Sequence, residues 1–305
     1  MRALLLTLTL PWLLGLWPAA RPAGSGASQL VLRVGRARAS AFAAMLSYPS
    51  GVAVGPGNMV YVVDTDNMAV LKVSPTGSIS SVSSADFTYP TGVAVAPDGT
   101  VYVADAGTRS IKKIGLQGEV ATLAAAAFAY PAGVAVAADG TVYVADAGSG
   151  AGAGSVKKIS PAGRLSTLAS GFNKPSGVAV AADGTVYVAD TDNNSIQKIG
   201  PDGTSTVVAA EGLNKPHGVA VDAAGTLYIT DTYNNSVRKL SAAGTMVALA
   251  HNFAYPSGIA VNAAGTVYVT DTGHAALKQI SPSGAVSTLA DSTTAAVVSI
   301  NLGKN

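Results

Sequence analysis

From residue 48 onward the chain repeats one rhythm of polar and apolar positions. A proline, a variable residue and a glycine lead into Val-Ala-Val or a close equivalent; a short polar stretch then leads into Val-Tyr-Val-x-Asp. Alternation with period two marks half-buried strands rather than helices. In the copy at 175–209, residues 178–180 read as a short strand and Asp183-Gly184 as a tight turn, because both residues tolerate the positive φ such turns require. Strands at 186–189, 195–199 and 204–208 follow, so each unit predicts a four-stranded antiparallel meander.

Six copies open at Pro49, Pro90, Pro131, Pro175, Pro216 and Pro256, spaced 41, 41, 44, 41 and 40 residues apart. A meander of this size cannot bury both faces alone, and the period is that of propeller blades. The expectation is an all-β fold, a six-bladed β-propeller spanning 48–290. The alanines of the innermost strand, such as Ala53 and Ala94, suit a crowded centre, and 148–155 lengthens a loop of the third unit. The ends leave two arrangements open. Residues 30–34 and 38–42 align with third and fourth strands of a preceding unit, yet the last copy has its own fourth strand at 285–289. Either one terminus closes the ring, or 30–44 and 297–302 form a partial seventh blade.

The pattern P-x-G-V-A-V-x-x-x-G-x-V-Y-V-x-D-x-x-N-x-x-I-x-K-(I/L) resembles the NHL repeat, and it covers nearly all of the chain beyond the first segment. The resemblance implies a six-bladed propeller. It implies less about function, because such propellers include extracellular sensor domains, RNA- and protein-binding domains, lyases and hydrolases.

The first 27 residues follow a different pattern. Arg2 precedes an apolar run ending at Trp17, then small residues and prolines, which is the layout of a secretory signal. The run is shorter than the roughly 20 residues of a bilayer span. The expected organisation is a signal at 1–27, a strand segment at 28–47, the propeller, and a tail at 291–305, in a secreted or periplasmic protein that meets a membrane only if the signal stays uncleaved. There is no cysteine, which excludes thiol catalysis and a disulfide framework. The 19 basic residues exceed the 17 acidic ones by Arg2 and Arg21 of the signal alone, so bulk charge favours no polyanion.

Strand order places the linkers into the first strands and the loops between second and third strands on one face. Asn193, Asn194 and Asn234 lie on these loops with Arg109, Tyr233 and His274, while Tyr89, Tyr130, His217 and Tyr255 lie at the linkers. Aromatic area beside adaptable hydrogen-bonding groups is the composition of a recognition surface. These residues form the candidate binding site for a protein or small-molecule partner, in a chain expected to be monomeric.

Candidate chemistry is sparse. The aspartates at 64, 105, 146, 190, 231 and 271 recur in every unit, and sixfold recurrence reads as structural, the carboxylates accepting from backbone N–H groups of the following loop. Asp190, Asp192 and Asn194 resemble the start of a calcium loop, but Ser195 and Pro201 stand where such a loop has Gly and Glu. No cofactor is expected, with calcium as the alternative. Only His217, His251 and His274 are available for zinc. Gluconolactonase-like propellers hold calcium with Glu, Asn and Asp of inner strands, and the Gly-Val-Ala-Val stretches carry none of these. A lyase or hydrolase using His217 and His274 with a divalent ion is the alternative function. The lysines and Arg238 on the third strands read as rim residues with wet heads, not as a nucleic-acid site.

Overall fold

The computed structural model describes residues 46–82 and 87–293, and these build six four-stranded antiparallel sheets, each in simple meander order. Blade 4 is representative: inner strand Pro175–Val180, second strand Val186–Asp190, third strand Ser195–Ile199 and outer strand Ser205–Ala209. The fold is a six-bladed β-propeller. The signal segment at 1–27, the strands expected at 30–34 and 38–42, the partial seventh blade and most of the 291–305 tail lie outside the described residues.

Blade 6 has its own outer strand, Val286–Asp291, and blade 1 begins at Pro49, so among the described residues the sixth and first blades meet without exchanging a strand. Their junction is a packed one. Leu46, Val52, Val62 and Leu71 of the first unit share a buried cluster with Ala260, Tyr268, Leu277 and Ala290 of the last. Other blade junctions are built the same way, with inner-strand alanines such as Ala179 and Ala220 buried between neighbours.

Glycine, rather than these alanines, accounts for the tightness of the centre. A Cβ placed on Gly51, Gly92, Gly133, Gly177, Gly218 or Gly258 would fall within 2.9 Å of a backbone oxygen in the next blade, and the last of these meets Ser50 of the first. The six glycines thus form a closed ring of contacts that no side chain can enter. Every first-to-second strand pairing slips register beside this glycine, as between Pro175 and Val178, and the bulge turns the residue after the proline out of the pleat toward the channel and the next blade.

The recurring aspartates are structural, but their backbone donors differ from expectation. Asp64 accepts from the N–H groups of Ser47 and Tyr48, and Asp105 from Tyr89, so each clamps the linker that precedes its blade. The following loop contributes a side chain instead: Asn67, Asn193, Asn234 or His274. From the third strand come Lys112, Lys157, Gln197, Arg238 and Lys278, which turn inward to the same carboxylates. Their heads are therefore not rim charges. Lys112, Lys157 and Lys278 also lie 5.0–5.2 Å from the ring centres of Phe87, Phe128 and Phe253, so Asp105, Asp146 and Asp271 are each matched by a cation resting on an aromatic face.

Candidate functional site

One end of the channel widens into a cavity of about 870 Å³. It is bounded by linkers and second-to-third-strand loops, the two sets of segments that strand order places on one face. Its rim carries the residue before each proline: Tyr48, Tyr89, Tyr130, Lys174, Lys215 and Tyr255. Three of these, Lys174, Lys215 and Tyr255, sit at φ near +50°, in the left-handed region.

The rim divides into two arcs. Tyr233 stacks edge-on against Tyr255 at 5.8 Å, and burial first, then the nearby Tyr89, Asp66 and Tyr233, push the Tyr48 phenol up. Burial, with the neighbouring Tyr89 hydroxyl adding to it, pushes the Tyr130 phenol up to about 12. The phenols of Tyr48 and Tyr130 therefore remain neutral hydrogen-bonding groups at physiological pH. Across the mouth, Lys215 and Lys174 reach Asp192 at 2.8 and 3.0 Å. Chiefly the Lys215 hydrogen bond, then Lys174, hold the Asp192 carboxyl below its usual range against a smaller opposing effect of burial. Two ammonium groups around one carboxylate leave this arc net positive.

Below the rim lies the residue between proline and glycine: Ser50, Thr91, Ala132, Ser176, His217 and Ser257. Beneath it the floor is Val52, Val93, Val134, Val178, Val219 and Ile259. His217 Nδ1 lies 3.1 Å from Ser257 Oγ. The imidazole is open to the cavity yet ringed by protein, and the loss of hydration lowers its pKa, so it is neutral at pH 7.

Of the residues singled out in the sequence, His217, Tyr89, Tyr130, Tyr233 and Tyr255 converge on this cavity. The other five are engaged elsewhere. Arg109 donates from Nε to the Phe128 carbonyl of the next blade, and Asn194 accepts from the Lys215 N–H. Asn193, Asn234 and His274 bind the buried aspartates as one repeated position. Ser257 was not singled out, since serine also fills that position in blades 1 and 4; its distinguishing feature is the partner its hydroxyl chooses.

A family model described as SMP-30/gluconolactonase/LRE-like region matches residues 58–250, and an NHL repeat model matches 253–280. The chain belongs to the SMP-30/gluconolactonase/LRE-like family. No curated protein matches this family member by sequence. Among solved structures, it is similar to a gluconolactonase from Xanthomonas campestris at 20% identity and a TM-score of 0.68, covering 80% of this chain and 87% of that one. It is similar to virginiamycin B lyase from Staphylococcus aureus at 14% and 0.61, covering 79% and 84%. A nidogen/laminin complex contains a similar propeller, at 18% and 0.66, covering 75% and 92%. At these identities the likeness establishes the fold and not the activity.

The calcium implied by this family does not suit the donors present. Calcium takes six to eight oxygens, with carboxylates prominent. Here the inner-wall hydroxyls of Ser50, Thr91 and Ser176 are already bonded to backbone, that of Ser257 pairs with His217, and the mouth's carboxylate, Asp192, is held by two lysines. Among the described residues no three His, Asp or Glu side chains group to hold a metal ion.

Proposed function

We propose that this propeller works outside the cytoplasm and binds a small organic ligand in the mouth of its channel. Export rests on the signal-like pattern of 1–27. The observation that carries the binding assignment is the rim itself, where five tyrosines face a net-positive Lys174–Asp192–Lys215 arc across a cavity of about 870 Å³. That volume lies within the roughly 300–1,000 Å³ of small-molecule sites. Tyrosine arcs supply apolar area with hydrogen-bonding edges, and the lysine arc supplies a counterpart for an acidic or strongly polar substituent. A ligand with a flat or apolar body and a polar end matches both arcs at once.

A thermal-shift screen of small organic compounds tests the assignment. Compounds that raise the melting temperature of the wild type should lose that effect in Tyr130→Ala and Tyr255→Ala, whose own melting should change little because both rings are exposed by more than a third. Ligand effects that survive both substitutions would move the site elsewhere.

A further inference from the structure

The residue between proline and glycine has a structural duty in three blades. Ser50 Oγ donates to the Thr91 carbonyl, Ser176 Oγ to the His217 carbonyl and Thr91 Oγ1 to the Pro131 carbonyl, each bond sewing one blade to the next. Blades 5 and 6 assign that duty to a different side chain. The residue before the conserved aspartate is Val63, Ala104, Ala145 or Ala189 in blades 1–4, but Thr230 and Thr270 in the last two. Thr230 Oγ1 donates to the Ser257 carbonyl at 2.6 Å and Thr270 Oγ1 to the Ser50 carbonyl at 2.8 Å. These acceptors are the counterparts of those served by Ser50 and Ser176. Positions 217 and 257 are thereby relieved of the blade-to-blade bond, and they are the two residues that pair with each other in the cavity wall.

We propose that Ser257 and His217 are a nucleophile and its general base, giving the mouth an acyl-transfer activity toward carboxylic esters. The inference rests on the mouth being the ligand site. The geometry is that of an activated serine: a hydroxyl facing an open cavity, within hydrogen-bond reach of an imidazole nitrogen. With its proton on Nε2, His217 accepts the Ser257 proton at Nδ1 while Oγ bonds to the ester carbon. Collapse of the adduct breaks the ester C–O bond, and the leaving alkoxide takes the proton from Nδ1. Water then attacks the acyl-serine, passing a proton to Nδ1 and from there to the departing Oγ, which restores Ser257 and releases the carboxylic acid. No metal ion takes part. Thr270 acts as a positioning residue, because without its hydroxyl the Ser50 carbonyl becomes an acceptor for Ser257 Oγ.

The test is incubation of the full-length protein with p-nitrophenyl acetate, with and without a chelator. Nitrophenolate is read for an initial burst, trapped protein is mapped by mass, and probe occupancy is followed by tyrosine fluorescence. The expected result is one acetyl group on Ser257 and slow hydrolysis indifferent to the chelator. Ser257→Ala and His217→Gln should each lower the rate by about 100-fold, the lower range for a lost general base. Thr270→Val should lower it as well, and Thr270→Ser should restore it. Acetylation at another residue, hydrolysis that persists in Ser257→Ala, or loss of activity on chelation would overturn the proposal. If the ester perturbs the mouth tyrosines without acylating Ser257, the chemistry is wrong while the ligand site stands. If it neither binds nor reacts, while other compounds stabilise the protein through the mouth, the ester class is wrong.

Discussion

Asp105 has a fully buried side chain and depends on the cation beside it. Burial alone would raise its carboxyl; the Lys112 ammonium, the Tyr89 N–H and the Thr108 hydroxyl together outweigh that and hold it below the usual carboxylate range. Such a depressed group adds stability that is present above the unfolded carboxylate pKa, near 4, and is lost as pH falls through the folded value. Lys112→Met removes the counter-charge and lets the folded pKa climb. The variant should lose about 1.5–3 kcal/mol at pH 7, the range for a hydrogen bond to a charged group. Its deficit relative to wild type should shrink as pH falls, because the protonated carboxyl no longer needs the cation. Chemical denaturation at pH 7 and pH 4 measures this, and equal deficits at the two values would contradict it.

At the scale of elements, the blades are joined by short hydroxyl-to-carbonyl bonds on the channel side. Thr65, Thr191, Thr232 and Thr272 each reach the opening proline carbonyl of the next blade at 2.7–2.8 Å. Blade 3 has Ala147 at this position and Ala132 at the other, so its junction with blade 4 has neither kind of clasp. Ala147 shares its backbone bond with Thr65, each N–H donating to the tyrosine carbonyl before the proline. Ala147→Thr should therefore add a bond to Pro175 and raise stability by about 0.5–1.5 kcal/mol. An unchanged or lower melting temperature would show that the third loop holds Ala147 out of reach. The glycine ring makes a sharper prediction. Gly133→Ala drives a methyl group into the backbone of Ser176 and should prevent a stable ring, whereas Gly184→Ala, in open space at φ +84°, should cost only about 1 kcal/mol. Comparable melting temperatures for the two variants would remove the ring from the account.

At the scale of the molecule, the propeller was legible because six copies repeat the same alternation, turn residues and closing aspartate. The face was legible for the same reason, since strand order alone decides which loops meet. Selecting residues within that face was harder. Asn193, Asn234 and His274 have the composition of a binding surface, but they share one repeat position and satisfy a buried carboxylate. Ser257 shows the opposite difficulty. Its identity is unremarked among serines of the same position, and only the exchange of a clasp from inner to second strand separates it, with Thr230 and Thr270 as the visible trace. Glycine presents a similar case: the P-x-G signature marks where each unit opens, while the reason for its glycine is the close approach of a neighbouring blade, which sequence spacing does not display.

The mouth of the channel, and not the opposite face or the outer strands, receives the ligand. The most direct measurement is a crystal structure of the protein with the compound that stabilises it most. The account predicts that compound in the cavity, with its flat or apolar body against Tyr130, Tyr255 or their neighbours and its polar end toward Lys174 and Lys215. A compound bound on the opposite face or along the outer strands, with the mouth left to water, would contradict it.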